Sequence, residues 1–178
     1  MQRIGANGTK KLIRTIIALV SLALLIAFDQ LTKSYFSNLY KTEGLVNIEI
    51  IPNFLRLVYT ENTGAAWSFL SDVSWAQTFF KVITGLSLVL FIGMYVYALK
   101  SKRLLRISLI LIIAGTVGNF VDRLLFGYVV DFISFNFWGW SFPVFNVADI
   151  CLTIGVVLFM IYLLFISKYA LFRKNNAK

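Results

Sequence analysis

The chain has 178 residues, 59% of them hydrophobic and 14% charged, with mean hydropathy +0.80 and a formal charge of +9. Soluble domains average about 45–50% apolar residues, so this composition marks a membrane protein, and the length suits one compact bundle. With no histidine and one cysteine, a Cys–His nucleophile pair, a histidine-ligated zinc site and an internal disulfide are excluded, although a metal held by carboxylates alone is not.

Met1 to Lys11 is polar and basic and has no periodicity. The apolar run from Ile13 to Phe28 then continues into Leu31, with no small-x-small cleavage site before Asp29, so an uncleaved first transmembrane helix over about 12–34 is expected. Between Tyr35 and Trp75 the chain reads as extracytoplasmic. Val46, Ile48 and Ile50 alternate with polar residues, Pro52-Asn53 reads as a turn, and Leu55, Leu57 and Tyr59 alternate again, which predicts a small hairpin or curved sheet. A second span is expected over 76–99, with Lys81 snorkelling to the interface. A basic loop over 100–106 leads to a third span at 107–126, and a fourth is expected at 146–166. The intervening 127–145 segment is dense in aromatic residues, which favour the headgroup level. It is expected to lie along the interface as a loop with a short amphipathic helix. Cys151 is read as a small apolar core residue.

Four spans bring both termini to one side. Twelve of the 17 cations fall on that side, at 3, 10, 11, 14, 100, 102, 103, 106, 168, 173, 174 and 178, and none of the eight acidic residues does. The positive-inside rule makes it the cytoplasmic side. Cations gathered in short runs beside apolar segments also argue against a nucleic-acid partner.

The acidic residues then cluster at the outer helix ends, where a carboxylate near lipid is costly and marks a functional site. Asp29 and Lys33 are four apart and share a helix face, either as an ion pair or as a contact to a lipid headgroup. Asn62 opens Asn62-Thr63-Gly64-Ala65-Ala66-Trp67, as a turn cap or as a donor to a substrate carbonyl. Asn119, Asp122 and Arg123 share one face of the third span. Arg123 needs an anionic partner there, and Asp122 is read as a bracing, ion-paired acid. Asp131 sits among Val129, Val130, Phe132 and Ile133, and Asp149 follows Asn146 by one helical turn. An apolar setting and a second carboxyl raise a carboxyl pKa above about 3.9. Converging, Asp131 and Asp149 would share one proton and carry out general acid/base hydrolysis, titrating as a unit.

Asp29-Gln30-Leu31-Thr32-Lys33, Asn62-Thr63-Gly64-Ala65-Ala66-Trp67, Gly118-Asn119-Phe120-Val121-Asp122-Arg123, Val129-Val130-Asp131-Phe132 and Phe145-Asn146-Val147-Ala148-Asp149 together resemble the motifs of the lipoprotein signal peptidase (signal peptidase II) family, in its order and across most of the chain. Trp67 stands where many members have phenylalanine. The resemblance implies a mainly α membrane protein: four transmembrane helices, a small extracytoplasmic β-cradle and an interfacial helix, in a bacterial inner or plasma membrane. It implies an aspartyl endopeptidase that needs no cofactor and cuts diacylglyceryl-modified prolipoproteins just before the lipidated cysteine. Asp131 and Asp149 match the catalytic pair, and Asp29, Lys33, Asn62, Asn119, Arg123 and Asn146 match supporting polar residues. A monomer in contact with membrane phospholipid is expected, with the 127–145 segment moving to admit substrate.

Two rival readings use the same residues. A lipid-phosphate transferase would use Arg123, Lys33 and carboxylate-bound magnesium. A small channel or carrier would use the buried acids as an ion path, although the chain lacks the half-to-half symmetry of many carriers.

Overall fold

The computed structural model describes residues 2–64, 73, 75–99 and 103–167. Four helices among them are long and apolar enough to cross a membrane: α1 (Gln2–Glu43, apolar from Leu12), α2 (Ala76–Ala98), α3 (Arg103–Leu125) and α4 (Val147–Ile161). A π-helical turn, Tyr162–Ile166, extends α4. Most of the chain is helical, and the remainder contributes a small antiparallel sheet.

The central helix is α3, against which α1, α2 and α4 all pack. Glycines set its distance from α4. A β-carbon on Gly115 would overlap the carbonyl oxygen of Ala148, and one on Gly155 would lie 2.9 Å from the backbone nitrogen of Ile112. Small residues at such crossings let helix backbones touch in lipid, where hydrophobicity does not drive association. At the opposite end from the sheet, Phe91, Met94 and Tyr95 of α2 pack with Leu105 and Leu109 of α3 and with Phe159 and Tyr162.

α1 continues past the apolar run, through residues read from sequence as part of an extracytoplasmic loop. Phe36 and Tyr40 recur at helical spacing and pack on the sheet: Phe36 stacks on Phe132 at 4.6 Å and Tyr40 on Tyr59 at 4.4 Å between centroids. This packing supplies the apolar partner that the sequence alone does not display. Gly44, at φ 74°, ends the helix and donates its N–H to Tyr40 O at 2.8 Å, a left-handed cap that favours glycine. The polar start, which has no periodicity, is helical from Gln2.

The sheet has the order β1-β2-β3-β4 and is antiparallel throughout. β1 (Asn47–Ile51) and β2 (Leu55–Asn62) are the predicted hairpin. Pro52 supplies the fixed φ at the second turn position. Asn53 takes φ 57° at the third, and Phe54 N–H closes on Ile51 O at 3.0 Å, as a type II turn requires. β3 (Val129–Phe137) and β4 (Trp140–Ser141) occupy the aromatic segment. The amphipathic helix expected within 127–145 is therefore a β-hairpin. Residues Val129 to Phe132 are buried, with Phe132 turned to α1 and Asp131 to the opposite face. Covered on both faces, this half of the strand loses the polar–apolar alternation that would reveal it, whereas Ile133 to Phe137 keeps it.

Candidate active site

Four elements converge where β3 meets the sheet-side ends of α1, α3 and α4. Asp131 projects from β3. Asp149 stands in the first turn of α4, where helix N-termini favour negative charge. Asn146 joins them. Its side-chain Oδ1 accepts from Asp149 N–H at 2.9 Å while its own N–H donates to Asp149 Oδ2 at 3.1 Å, a reciprocal capping arrangement. Its Nδ2 donates to Asp131 Oδ1 at 2.7 Å. One fully buried asparagine thus contacts both acids.

The remaining oxygens are also held. Asn62 Nδ2 donates to Asp131 Oδ2 at 2.9 Å, and Asn119 Nδ2 to Asp149 Oδ1 at 2.8 Å. Of the two readings of Asn62, the turn cap is the one observed: its Oδ1 accepts from Gly64 N–H at 3.0 Å. Its amide, however, serves Asp131.

Lys33 lies beneath the dyad and is only 2% exposed. Its Nζ contacts Asp29 Oδ2 at 2.9 Å, Asp122 Oδ2 at 3.0 Å and Asn119 Oδ1 at 3.0 Å. The pairing of Asp29 with Lys33 is thus an ion pair, as one of the two readings held. Asp122 braces the site through Lys33, not Arg123. It also accepts from Val130 N–H at 3.1 Å and so fixes the strand that carries Asp131. Asp29 accepts from Ala148 N–H at 2.8 Å, which ties α1 to the start of α4. Arg123 turns elsewhere: its Nη2 donates to Gly64 O at 3.2 Å, and its guanidinium lies 5.2 Å from the centroid of Phe80, within cation–π range.

Gln30 received no role in the sequence reading. Its Nε2 donates to Asp122 Oδ1 at 2.9 Å and to Gly118 O at 3.1 Å. An amide beside Asp29 in an otherwise apolar span was the available signal. Ala65, Ala66 and Trp67 lie outside the described residues, as do 100–102 of the basic loop and 168–178 of the basic tail.

Burial, and secondarily the charge of Asp149, raises the Asp131 carboxyl from 3.8 to about 7, against the opposing hydrogen bonds from Asn62 and Asn146. Both acids line a cavity of about 1020 Å³ together with Asn62, Asn119 and Arg123. That volume exceeds most small-molecule sites and can admit a peptide segment with an attached chain. The arrangement offers two carboxyls, a proton held near neutral pH and an opening beside the spans.

A family model described as signal peptidase (SPase) II matches residues 21–165. A lipoprotein signal peptidase of Staphylococcus haemolyticus (strain JCSC1435) is 41% identical over 155 residues, covering 87% of this chain and 94% of the relative. One of Staphylococcus aureus (strain JH9) is 40% identical over 139 residues, covering 78% and 82%. A bacterial membrane enzyme solved by the in meso method superposes with a TM-score of 0.69 at 38% identity, covering 83% of this chain and 87% of the other.

Proposed function

The chain belongs to the signal peptidase II family of membrane peptidases, and from that premise we propose that it cuts diacylglyceryl-modified prolipoproteins just before the lipidated cysteine, with Asp131 and Asp149 as the acid/base pair. The observation that carries the mechanism is the shared bridge: Asn146 contacts both carboxyls, and both open into one cavity. The ionised member takes a proton from water as the water oxygen bonds to the scissile carbonyl carbon. The protonated member gives its proton to the carbonyl oxygen. The tetrahedral intermediate then returns a proton to the pair, the amide nitrogen gains one, and the C–N bond breaks. The dyad ends with the single proton it began with. All four carboxylate oxygens are held by neutral N–H donors, which orients the pair without adding positive charge. We place the site at the extracytoplasmic face of the bacterial membrane, with both termini in the cytoplasm and the enzyme a monomer among phospholipids. The charge asymmetry of the sequence supports this orientation.

The direct test incubates purified protein with a lipid-modified precursor and its unmodified twin in the presence of a strong chelator. Cleavage of the first and not the second is expected. Loss of activity to the chelator would favour a magnesium-dependent transferase, and ion flux in liposomes without proteolysis would favour a carrier.

The pH dependence has a defined sign. Asp131 keeps its proton up to about pH 7 in the folded protein, and the mechanism needs one proton on the pair. Rate should therefore fall as pH rises through about 7, approaching tenfold per unit on the alkaline limb. The same shift means that stability from this group is greatest below its unfolded pKa and declines as pH rises from about 4 toward 7. A flat kcat/KM between pH 6 and 9 would contradict the shared proton.

A further inference from the structure

Below the dyad the cavity carries a second polar layer. Thr116 precedes Asn119 by three residues on α3, and Thr153 follows Asp149 by four on α4. Each therefore shares a face with its dyad-layer neighbour and lies about one turn, ~5 Å, toward the membrane centre. Thr84 of α2 lines the same cavity. Three helices thus bring threonines to the lining of one cavity.

Their hydrogen bonding differs. A hydroxyl on a membrane helix commonly donates to a carbonyl one turn earlier, as Thr32, Thr42, Ser108, Thr116 and Ser167 all do. Thr116 uses its proton this way at 2.6 Å from Ile112 O. Among the described residues, Thr84 and Thr153 make no such bond. Two threonines without an intramolecular hydrogen bond therefore line the cavity, Thr84 near the level of Asn119, as the contacts of Phe80 with Arg123 and of Gly85 with Phe120 indicate, and Thr153 about one turn deeper.

We propose that Thr84 and Thr153 are positioning residues that donate hydrogen bonds to the terminal backbone carbonyls of the substrate's leader helix. The inference rests on the reaction assigned above. A leader that crosses the membrane with its N-terminus in the cytoplasm points its carbonyls toward its C-terminal end, at the site. The last four carbonyls of any helix have no partner within it, and in lipid each unsatisfied one is costly. Presenting an extended scissile segment adds to that cost. At about 3.3 Å per extended residue, Thr153 meets the chain roughly two residues before the cut and Thr84 nearer to it. Both threonines therefore stand along the stretch where the carbonyls lose their partners.

The test couples enzyme and substrate changes. The isosteric double variant Thr84→Val/Thr153→Val is compared with Thr84→Ser/Thr153→Ser on synthetic lipid-modified precursors. In these precursors one amide among the second to fourth bonds before the cut is replaced by an ester, whose carbonyl accepts more weakly. On the all-amide precursor the valine pair should raise KM about tenfold with kcat within twofold, and the serine pair should behave as wild type. For at least one ester position the valine penalty should shrink below twofold. Additive penalties at every position, or serine variants as impaired as valine, would overturn the proposal in an active enzyme. A wild-type protein that leaves the all-amide precursor intact would instead overturn the assigned reaction.

Discussion

Asp131→Asn folds, enters the membrane and does not cut. The asparagine has the shape of the acid, and its oxygen still accepts from Asn146. Its amide cannot ionise or pass a proton to a carbonyl, so the loss is in chemistry, not architecture. General acid/base groups each contribute about 10²–10⁴ in rate, and the two carboxyls act as one unit. A single-turnover assay should therefore show at least a ~10³-fold fall for Asp131→Asn and for Asp149→Asn alike. The structural cost is local. Facing a new amide in place of Asp131 Oδ2, Asn62 Nδ2 loses an acceptor it meets at 2.9 Å, worth about 1 kcal/mol. Thermal unfolding should move little. A variant retaining a tenth of the wild-type rate would remove Asp131 from the mechanism.

Lys33→Met should have the largest effect on stability. Met fills a similar volume, but the buried ammonium holds two carboxylates at 2.9 and 3.0 Å. Removing one partner of a buried ion pair costs about 3–5 kcal/mol, because the other charge is left without compensation. Activity should fall as well. Lys33 holds the Asn119 carbonyl oxygen, which turns the Asn119 amide toward Asp149. A charge-balanced control separates the causes. Adding Asp122→Asn to Lys33→Met removes one of the two orphaned anions, and stability should partly return. Asp122→Asn alone leaves Lys33 paired with Asp29 and should cost less than Lys33→Met. If Lys33→Met and the double variant melt together, the ion-pair account fails.

These residues also show what a reader of the sequence can reach. Every site residue singled out beforehand except Arg123, which turns to Gly64 and Phe80, lies within the converging network, because a carboxylate or amide near lipid has few structural excuses. The partnerships were harder to read. Asp122 and Arg123 are adjacent and invite pairing, yet neighbours on a helix point about 100° apart. Lys33, remote in the chain, receives Asp122 instead. The β1–β2 hairpin was legible because one face alternates with polar residues. The first half of β3 was not, because α1 covers one face of Val129–Phe132 and the site the other, although Ile133 to Phe137 alternates and was the signal available. The last turns of α1 were hidden for a related reason: Phe36 and Tyr40 declare their purpose only once Phe132 and Tyr59 are placed against them.

The length of that first helix has a mechanical consequence. Its 32 residues from Leu12 to Glu43 run for about 48 Å, while the hydrocarbon layer is about 30 Å thick. A surplus of that size is taken up by leaning, by projection, or by both. The sheet is clamped to the protruding turns by two stacked ring pairs, so rod and sheet tilt together as a lever. Lipids with shorter acyl chains should increase the lean and shift the height of the cavity mouth, which makes turnover sensitive to bilayer thickness. A constant rate across vesicles of graded acyl length would mean that the lever has a joint.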